Sequence, residues 1–483
     1  MNYKTMVKTM NNSKIIDINR KSYISILIML ASLIVFSIII TYIVPKGMFE
    51  TTIDQFGNTI TNYDKYIEIS DKSGINIFKG IFSPILVLFS SDGLSLIMLS
   101  LFLLVVAGAF QIMSDSKGMN VIVNSFVKKF KNNKKTLVCI ITLVFMLFGS
   151  LFGLFEEVLT LLPLIVMLAI SLGYDGYTGF LMCIVACGFG FASAITNPFT
   201  VITASNIIGV SPMHNLWFRL IIFGVMYSLI LSYIFLHIRK IEKNPLLSPT
   251  YEVDVKKKDS INLNEDIPNS RKIFKTYSIF LILLLLSIII ITSIESLRSY
   301  TIVFLIAIFL IGGLVSGTIA NSSFKLTIRS LSKGILCALP TIILVLMASS
   351  IKYILEEGMI LATIAHLISD FVSGKNIFLI ALLIYIIVLV LEFFISSSTA
   401  KAIFVMGILS VVSIELSDEL LVLLYIFGDG YTNVLFPTSP VLLISLSMVG
   451  INYFTWIKRS KYFFIINFLI VIAFILLAVL IKY

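Results

Sequence analysis

Long apolar runs separated by short polar breaks recur along the whole chain. Tyr23 to Val44, Leu96 to Met113, Thr136 to Phe152, Leu216 to Leu236, Tyr277 to Ile291, Thr301 to Val315, Ile377 to Phe394 and Phe463 to Ile481 are nearly free of charge. Many approach the roughly 20 residues that a helix needs to cross the hydrocarbon core. The pattern predicts roughly ten to twelve membrane-embedded helical pieces, some too short to cross. The fold class is therefore an all-α polytopic membrane protein.

The polar breaks sort by charge. The tail 1–22 carries Lys4, Lys8, Lys14, Arg20 and Lys21, and the stretch 117–135 carries Lys128, Lys129, Lys131, Lys134 and Lys135. Positive loops stay in the cytoplasm, so both are expected there. The stretch 46–72 holds Glu50, Asp54, Asp64, Glu68 and Asp71 against three lysines and is expected outside. The first apolar run is too long for a signal-peptide core and no A-x-A-like site follows it, so it reads as a retained helix. One long polar stretch, 239–275, contains Lys256, Lys257, Lys258, Pro245, Pro249 and Pro268 and reads as a cytoplasmic linker. It separates a first membrane unit, 23–238, from a second, 276–483.

Composition agrees. Hydrophobic residues make up 58% and charged residues 13%, against about 45–50% and 25% in soluble domains. A net charge of +10 could suit nucleic acid, but the lysines lie in loops beside apolar runs. The partner is the bilayer, not nucleic acid. Cys139, Cys183, Cys187 and Cys337 sit inside apolar runs without acid or histidine ligands, so they read as small core residues and not as a metal site. His214, His237 and His366 share no sequence cluster with another ligand type and read as structural.

The two units contain matching tracts. The first reads Gly188-Phe-Gly190-Phe-Ala-Ser193-Ala-Ile-Thr196-Asn197-Pro198-Phe-Thr200, then Gly209, Trp217 and Arg219. The second reads Gly428-Asp429-Gly430-Tyr-Thr432-Asn433-Val-Leu-Phe-Pro437-Thr438-Ser439, then Gly450, Trp456 and Arg459. Each closes on one of the chain's two tryptophans and a basic residue, as expected at an interface. Upstream of each lies a polar cluster in an apolar stretch that is too long for one helix and too short for two crossings. These clusters are Glu156-Glu157 near 150–170, and Ser396-Ser397-Ser398-Thr399 with Lys401 near 390–415, behind Glu392. Both predict re-entrant hairpins, each followed by a broken helix, near 180–212 and 420–450.

Breaks of this kind make sites. Pro198 cannot continue the helix ladder and disfavours helical geometry at Asn197, so the helix is expected to stop near Ile195 to Asn197 and restart beyond Pro198. The exposed carbonyls suit a cation and the exposed N–H groups suit a carboxylate. The cation-site residues are Ser193, Thr196, Asn197, Thr432, Asn433 and Ser439, which suit a hard ion such as Na+; no other metal and no cofactor is expected. The substrate-site residues are Glu156, Glu157, Asn197, Thr200, Ser397, Ser398, Thr399, Lys401, Asp429, Asn433 and Thr438. Ionisable groups inside membrane segments are costly and default to function. The bland alternatives are proline kinks repaired by Ser and Thr, a Glu392–Lys401 pair of purely structural use, and Asp175 in Gly173-Tyr-Asp-Gly176 as a simple turn between helices.

At these residues the sequence resembles the YfcC-type branch of the anaerobic C4-dicarboxylate carrier family. The matching stretches are Val44-Pro-Lys-Gly-Met-Phe49, Gly153-Leu-Phe-Glu-Glu157, Leu172-Gly-Tyr-Asp175, Gly188-Phe-Gly-Phe191, Thr196-Asn-Pro-Phe-Thr200, Ala400-Lys401-Ala402, Phe427-Gly-Asp-Gly430, Thr432-Asn433 and Pro437-Thr-Ser439. The resemblance implies two inverted repeats, elevator-type movement, a homodimer formed through the scaffold, and residence in the cytoplasmic (inner) membrane of a prokaryote. One stretch departs from the family: Ser396 to Thr399 stands where a Pro-Ser-Gly-Ser-like tip is usual, which keeps the hydroxyls and loses the sharp bend.

The expected function is secondary active transport of amino acids, basic ones such as arginine or ornithine, by exchange or with Na+ or H+ coupling. Glu156, Glu157 and Asp429 against Lys401 favour an amino group over a dianion. The alternative is a C4-dicarboxylate such as succinate or fumarate. More remote rivals are a channel and an intramembrane aspartyl protease built on Asp175 and Asp429. The second aspartate of the protease pattern lies in Gly-x-Gly-Asp, whereas this chain reads Ile426-Phe-Gly-Asp429.

Overall fold

A computed structural model describes residues 20–53, 59–69, 73–91, 93–130, 132–260, 267–298, 300–364, 366, 376–395, 398, 401–402, 405–406 and 416–483. Among these, eight helices are long and apolar enough to cross a membrane: Tyr23–Ile43, Gly93–Asp115, Lys134–Phe152, Leu216–Lys243, Thr301–Asn321, Phe324–Glu357, Ile377–Phe394 and Tyr453–Leu480. Shorter apolar helices cover Glu157–Ser171, Gly176–Ala192, Pro198–Ile208 and Pro440–Val449. Ser270–Ser293 is long enough to cross but carries Arg271, Lys272 and Lys275 in its first turns. Its exposed Ile279, Ile282, Leu283, Leu286 and Ile290 recur at helical spacing, which is the face that acyl chains would cover. The chain is a multi-pass membrane protein.

The helix Gly93–Asp115 packs between Thr301–Asn321 and Phe324–Glu357. Small residues set this contact. Gly334 lies against the Ala107 carbonyl and Gly108, and Gly313 lies against Ala109. Close backbone approach through small residues is how helices associate where lipid supplies no hydrophobic drive.

The acidic stretch after the first helix forms an antiparallel hairpin of Gly47–Ile53 and Thr59–Glu68, with Gly47 opposite Glu68 and Ile53 opposite Thr59. Sequence reading assigned only a side to this stretch. Its threonines, tyrosines and isoleucines are β-formers, but they alternate too irregularly to announce strands. The hairpin is tied to the far end of Phe324–Glu357: Gly47 N–H donates to the Met359 carbonyl at 2.9 Å, and Tyr66 and Thr363 share a hydroxyl contact at 2.8 Å.

Three stretches of the described residues leave regular helix inside the apolar body. Between Lys134–Leu147 and Leu162–Ser171 the chain passes through a π-turn, Phe148–Phe152, then Gly153 at φ +68°, then a 3-10 turn, Glu157–Leu161. The outer ends of this hairpin return to the same place, because Lys134 Nζ donates to the Leu172 carbonyl at 2.6 Å. The following segment, Gly176–Ala192, stops and restarts as Pro198–Ile208. In the second half, Asp418–Asp429 stops, a 3-10 turn Tyr431–Val434 follows, and Pro440–Val449 restarts.

Candidate functional site at the crossing of two broken helices

The helix stops at Ala192, earlier than the expected Ile195 to Asn197. Ser193 Oγ donates to the Phe189 carbonyl at 2.7 Å. Ile195 N–H is drawn away to Ser150, donating to its Oγ at 3.0 Å. The restart falls on Pro198 itself and not beyond it. A proline at the first helical position loses nothing, since that N–H has no helical partner. Asn197 is the N-cap: its Oδ1 accepts from Phe199 N–H at 2.9 Å and its Nδ2 donates to the Gly149 carbonyl at 3.1 Å. One side chain therefore caps the restart and ties it to the hairpin tip.

In the second half the restart does not fall at Pro437. It falls at Pro440, capped by Ser439, whose Oγ accepts from Leu442 N–H at 3.4 Å. Asn197-Pro198 thus corresponds to Ser439-Pro440. The restarted helices end on left-handed glycines, Gly209 at φ +87° and Gly450 at φ +79°. This shift is why Asn197 adjoins its proline whereas Asn433 stands four residues before Pro437.

The tryptophans also differ. Trp217 is 55% exposed and suits an interface, but Trp456 is 0% exposed and donates from Nε1 to the Val434 carbonyl at 2.8 Å, plugging the back of the second break. Arg219, expected at an interface, is buried and donates to the Pro212 and His214 carbonyls.

The two breaks cross each other. The Gly430 backbone lies against Ala192 so closely that a Cβ would sit 2.0 Å from its Cα and N. Gly188 faces Val434, and the rings of Phe189 and Tyr431 meet at 6.4 Å. The first hairpin tip joins them: Cys187 Sγ donates to the Leu154 carbonyl at 2.6 Å, and Cys183 approaches the Val158 carbonyl at 3.7 Å. Both thiols are buried and serve carbonyls that the irregular tip leaves free.

The ionisable residues gather here. Lys401 is 0% exposed and forms ion pairs with Glu392 and with Asp429 Oδ1, the latter at 2.5 Å. Its third acceptor is the Ile395 carbonyl at 3.3 Å. Ser398 Oγ donates to Asp429 Oδ2 at 3.3 Å, and Tyr425 OH donates to the Ser398 carbonyl at 2.6 Å. Glu156 and Glu157 are adjacent, and Glu156 feels the charge of Asp429. Glu157 is buried with Oε2 lacking any hydrogen-bond partner, and the buried Thr200 Oγ1 lacks one too. Ser397 and Thr399 lie outside the described residues.

The six residues assigned to cations are all engaged with backbone. Besides Ser193, Asn197 and Ser439, Thr196 donates to the Leu151 carbonyl, Thr432 to the Gly428 carbonyl, and Asn433 to the Asp429 carbonyl. Thr438 is buried beside them.

Sequence reading missed a second polar cluster. Asp175 is not a simple turn residue. Its Oδ1 caps the next helix by accepting from Thr178 N–H at 2.8 Å, while its Oδ2 meets His237 Nε2 at 2.9 Å and accepts from Ser248 Oγ at 2.6 Å. His237 therefore does share a cluster with an acid, though 62 positions separate them. Asp254 in the linker helix Tyr251–Ser260 accepts from Gly176 N–H at 2.8 Å and from Thr250 Oγ1 at 2.5 Å. Burial pushes its carboxyl up to about 6 against these two hydrogen bonds. The same linker reaches the second broken helix: Lys257 Nζ donates to the Met448 carbonyl at 3.1 Å, and Val253 covers Gly450. An aspartate three residues before a threonine at the head of an apolar run was the available signal for the cap. Nothing in sequence spacing pointed to His237 or Asp254.

The profile of the C4-dicarboxylate anaerobic carriers matches residues 24–480. The chain belongs to that family. It is similar to YfcC of Escherichia coli (strain K12), provisionally named a basic amino acid antiporter, at 24% identity over 86% of this chain and 88% of that protein. An uncharacterized protein of Haemophilus influenzae is 26% identical over 74% of this chain and 70% of its own. Among solved structures, MtrF of Neisseria gonorrhoeae, described within a class of antimetabolite efflux pumps, aligns at a TM-score of 0.45 and 17% identity, over 93% of this chain and 94% of that one. This carrier family accounts for the multiple membrane helices, and the protein is a membrane transporter of the YfcC type.

Proposed function

We propose that the protein exchanges basic amino acids, of the arginine and ornithine kind, across the cytoplasmic membrane. The supporting observation is the charge balance near the crossing: Lys401 is paired with Glu392 and Asp429, while no cation from the described residues pairs with the adjacent Glu156 and Glu157. An uncompensated pair of charges at 4 Å interacts by about 4 kcal/mol at an effective dielectric of 20. A doubly anionic dicarboxylate entering this site would add repulsion, whereas a cationic side chain would relieve it. The name of the relative YfcC agrees with this choice. In this proposal the two halves are inverted repeats, with hairpins and broken helices moving as an elevator against a scaffold through which two copies pair, and with the N-terminus in the cytoplasm.

Counterflow in proteoliposomes tests it. Liposomes loaded with unlabelled arginine should accumulate labelled arginine and ornithine, and Glu156→Gln and Glu157→Gln should each reduce the rate at least about tenfold, the effect of about 1.4 kcal/mol. Accumulation of succinate or fumarate, with no response to any amino acid, would overturn the assignment.

A further inference from the structure

The charges at the crossing are distributed unevenly between the two halves. In the second half the carboxylates have a resident cation. Lys401 pairs with Glu392 and with Asp429 Oδ1 and donates to the Ile395 carbonyl, while Ser398 donates to Asp429 Oδ2. The hydroxyls and amides expected to ligate a free cation serve backbone groups in both halves. In the first half the network is open. Glu157 Oε2 and Thr200 Oγ1 are buried without hydrogen-bond partners, and no cation from the described residues pairs with Glu156 or Glu157.

Burying a charge without a partner costs several kcal/mol, and a partner that stays in place removes that cost for good. Lys401 also joins separate elements. Glu392 lies in the last turn of the helix Ile377–Phe394, Lys401 follows it in the chain, and Asp429 ends the helix Asp418–Asp429. A free ion at this point would have to hold these two helices together. The lysine already does so.

We infer that Lys401 is a tethered counter-cation. It stands permanently at the second break, where Glu392 and Asp429 would otherwise take up a free monovalent cation, and it leaves the cationic group of the transported species to Glu156 and Glu157 alone. The role of the glutamate pair rests on the proposed exchange of basic amino acids; the role of Lys401 at the second break does not.

The test is a gain of cation dependence. Lys401→Met removes the resident charge and leaves two carboxylates, so the variant acquires a requirement that the parent lacks. Thermal unfolding of the purified proteins is measured in NaCl and in choline chloride at equal ionic strength. The midpoint of Lys401→Met should rise in Na+ relative to choline by more than that of the parent, because an ion that binds only the folded state stabilises it. Arginine exchange by Lys401→Met should fall at least about tenfold in choline and recover when Na+ replaces it, a coupling of ordinary size. The double variant Glu392→Gln with Lys401→Met removes one negative charge along with the positive one. Its melting midpoint should rise less in Na+ relative to choline than that of the single variant, which keeps the test readable if the single variant fails to fold. A Lys401→Met protein with no more Na+ stabilisation than the parent, or a double variant as Na+-dependent as the single one, would overturn the role of Lys401. If the parent exchanges no basic amino acid, the proposed function fails, while the melting comparison still decides the role of Lys401.

Discussion

Replacing Gly430 by alanine should force the two breaks apart. The new Cβ would lie 2.0 Å from both Cα and N of Ala192. Carbon atoms in good contact lie about 3.5–4.0 Å apart, so about 1.5 Å of separation is needed. The opposing atoms are backbone on a fully buried helix, so no side chain can rotate away. Overpacking a tight core costs about 1–3 kcal/mol, and a clash with backbone belongs at the upper end, about 3 kcal/mol. Gly224, in the helix Leu216–Lys243, is the control, because nothing lies within 4 Å of a Cβ built there. Gly224→Ala should stabilise by about 0.5–1 kcal/mol through helix propensity alone. Thermal unfolding in detergent and counterflow in liposomes, run on both variants, supply the comparison. A Gly430→Ala protein as stable and as active as Gly224→Ala would show that the two breaks do not cross in contact.

Asn197→Ala removes the cap on Phe199 and the bond to Gly149 together, so it should destabilise by about 1–2 kcal/mol and slow transport. Asn433→Ala removes donors to the Asp429 and Gly430 carbonyls and should do the same at the second break; unchanged uptake in both variants would leave the breaks as structural kinks. Asp254 predicts a pH dependence of the linker dock. Its carboxyl titrates near 6 in the fold against an ordinary 3.8, so the protonated form is the one that docking favours. The gain is fully present below the ordinary value and is lost as pH rises through about 6. Two units correspond to about 3 kcal/mol, an order-of-magnitude figure. Hydrogen exchange across residues 244–258, corrected for intrinsic rate, should show protection falling between pH 5 and 7.5 in the parent and staying flat in Asp254→Asn. The same slope in both would refute the assignment.

What the sequence disclosed follows from the range over which each feature is encoded. Spans are local: a run such as Ile377 to Phe394 needs only its own composition to be read. The break at Asn197-Pro198 was also local, because proline acts on its own and the preceding backbone. Helix ends were misjudged where tertiary bonds decide them. Ser150, 43 positions from Ser193, accepts from the N–H of Ile195 and donates to the Ser193 carbonyl, and nothing near residue 192 announces this. Pro437 drew attention from Pro440 because Asn433 preceded it, whereas serine caps as well as asparagine. The cluster of Asp175, His237, Ser248 and Asp254 is assembled from four sequence regions, so no spacing could reveal it.

The similarity of the two halves makes their differences informative. Each has a helix that breaks, restarts at a capped proline and ends on a left-handed glycine. On this common plan the second half carries its own cation. Trp456 fills the space behind the break, and Lys401 pairs with Glu392 and Asp429 in front of it. The first half keeps Glu157 Oε2 and Thr200 Oγ1 buried without hydrogen-bond partners, next to Glu156, which feels the Asp429 charge. A buried polar atom without a partner is costly, and both halves hold such atoms, Ser447 Oγ and the Asn467 amide in the second among them. In the proposed exchange, the solute's charge would meet Glu156 and Glu157, which no cation from the described residues pairs, while Lys401 ties Glu392 to Asp429. Exchange kinetics should accordingly respond to conservative changes at Glu156 and Glu157 in the affinity for the solute, and to changes at Asp429 and Glu392 mainly in protein stability.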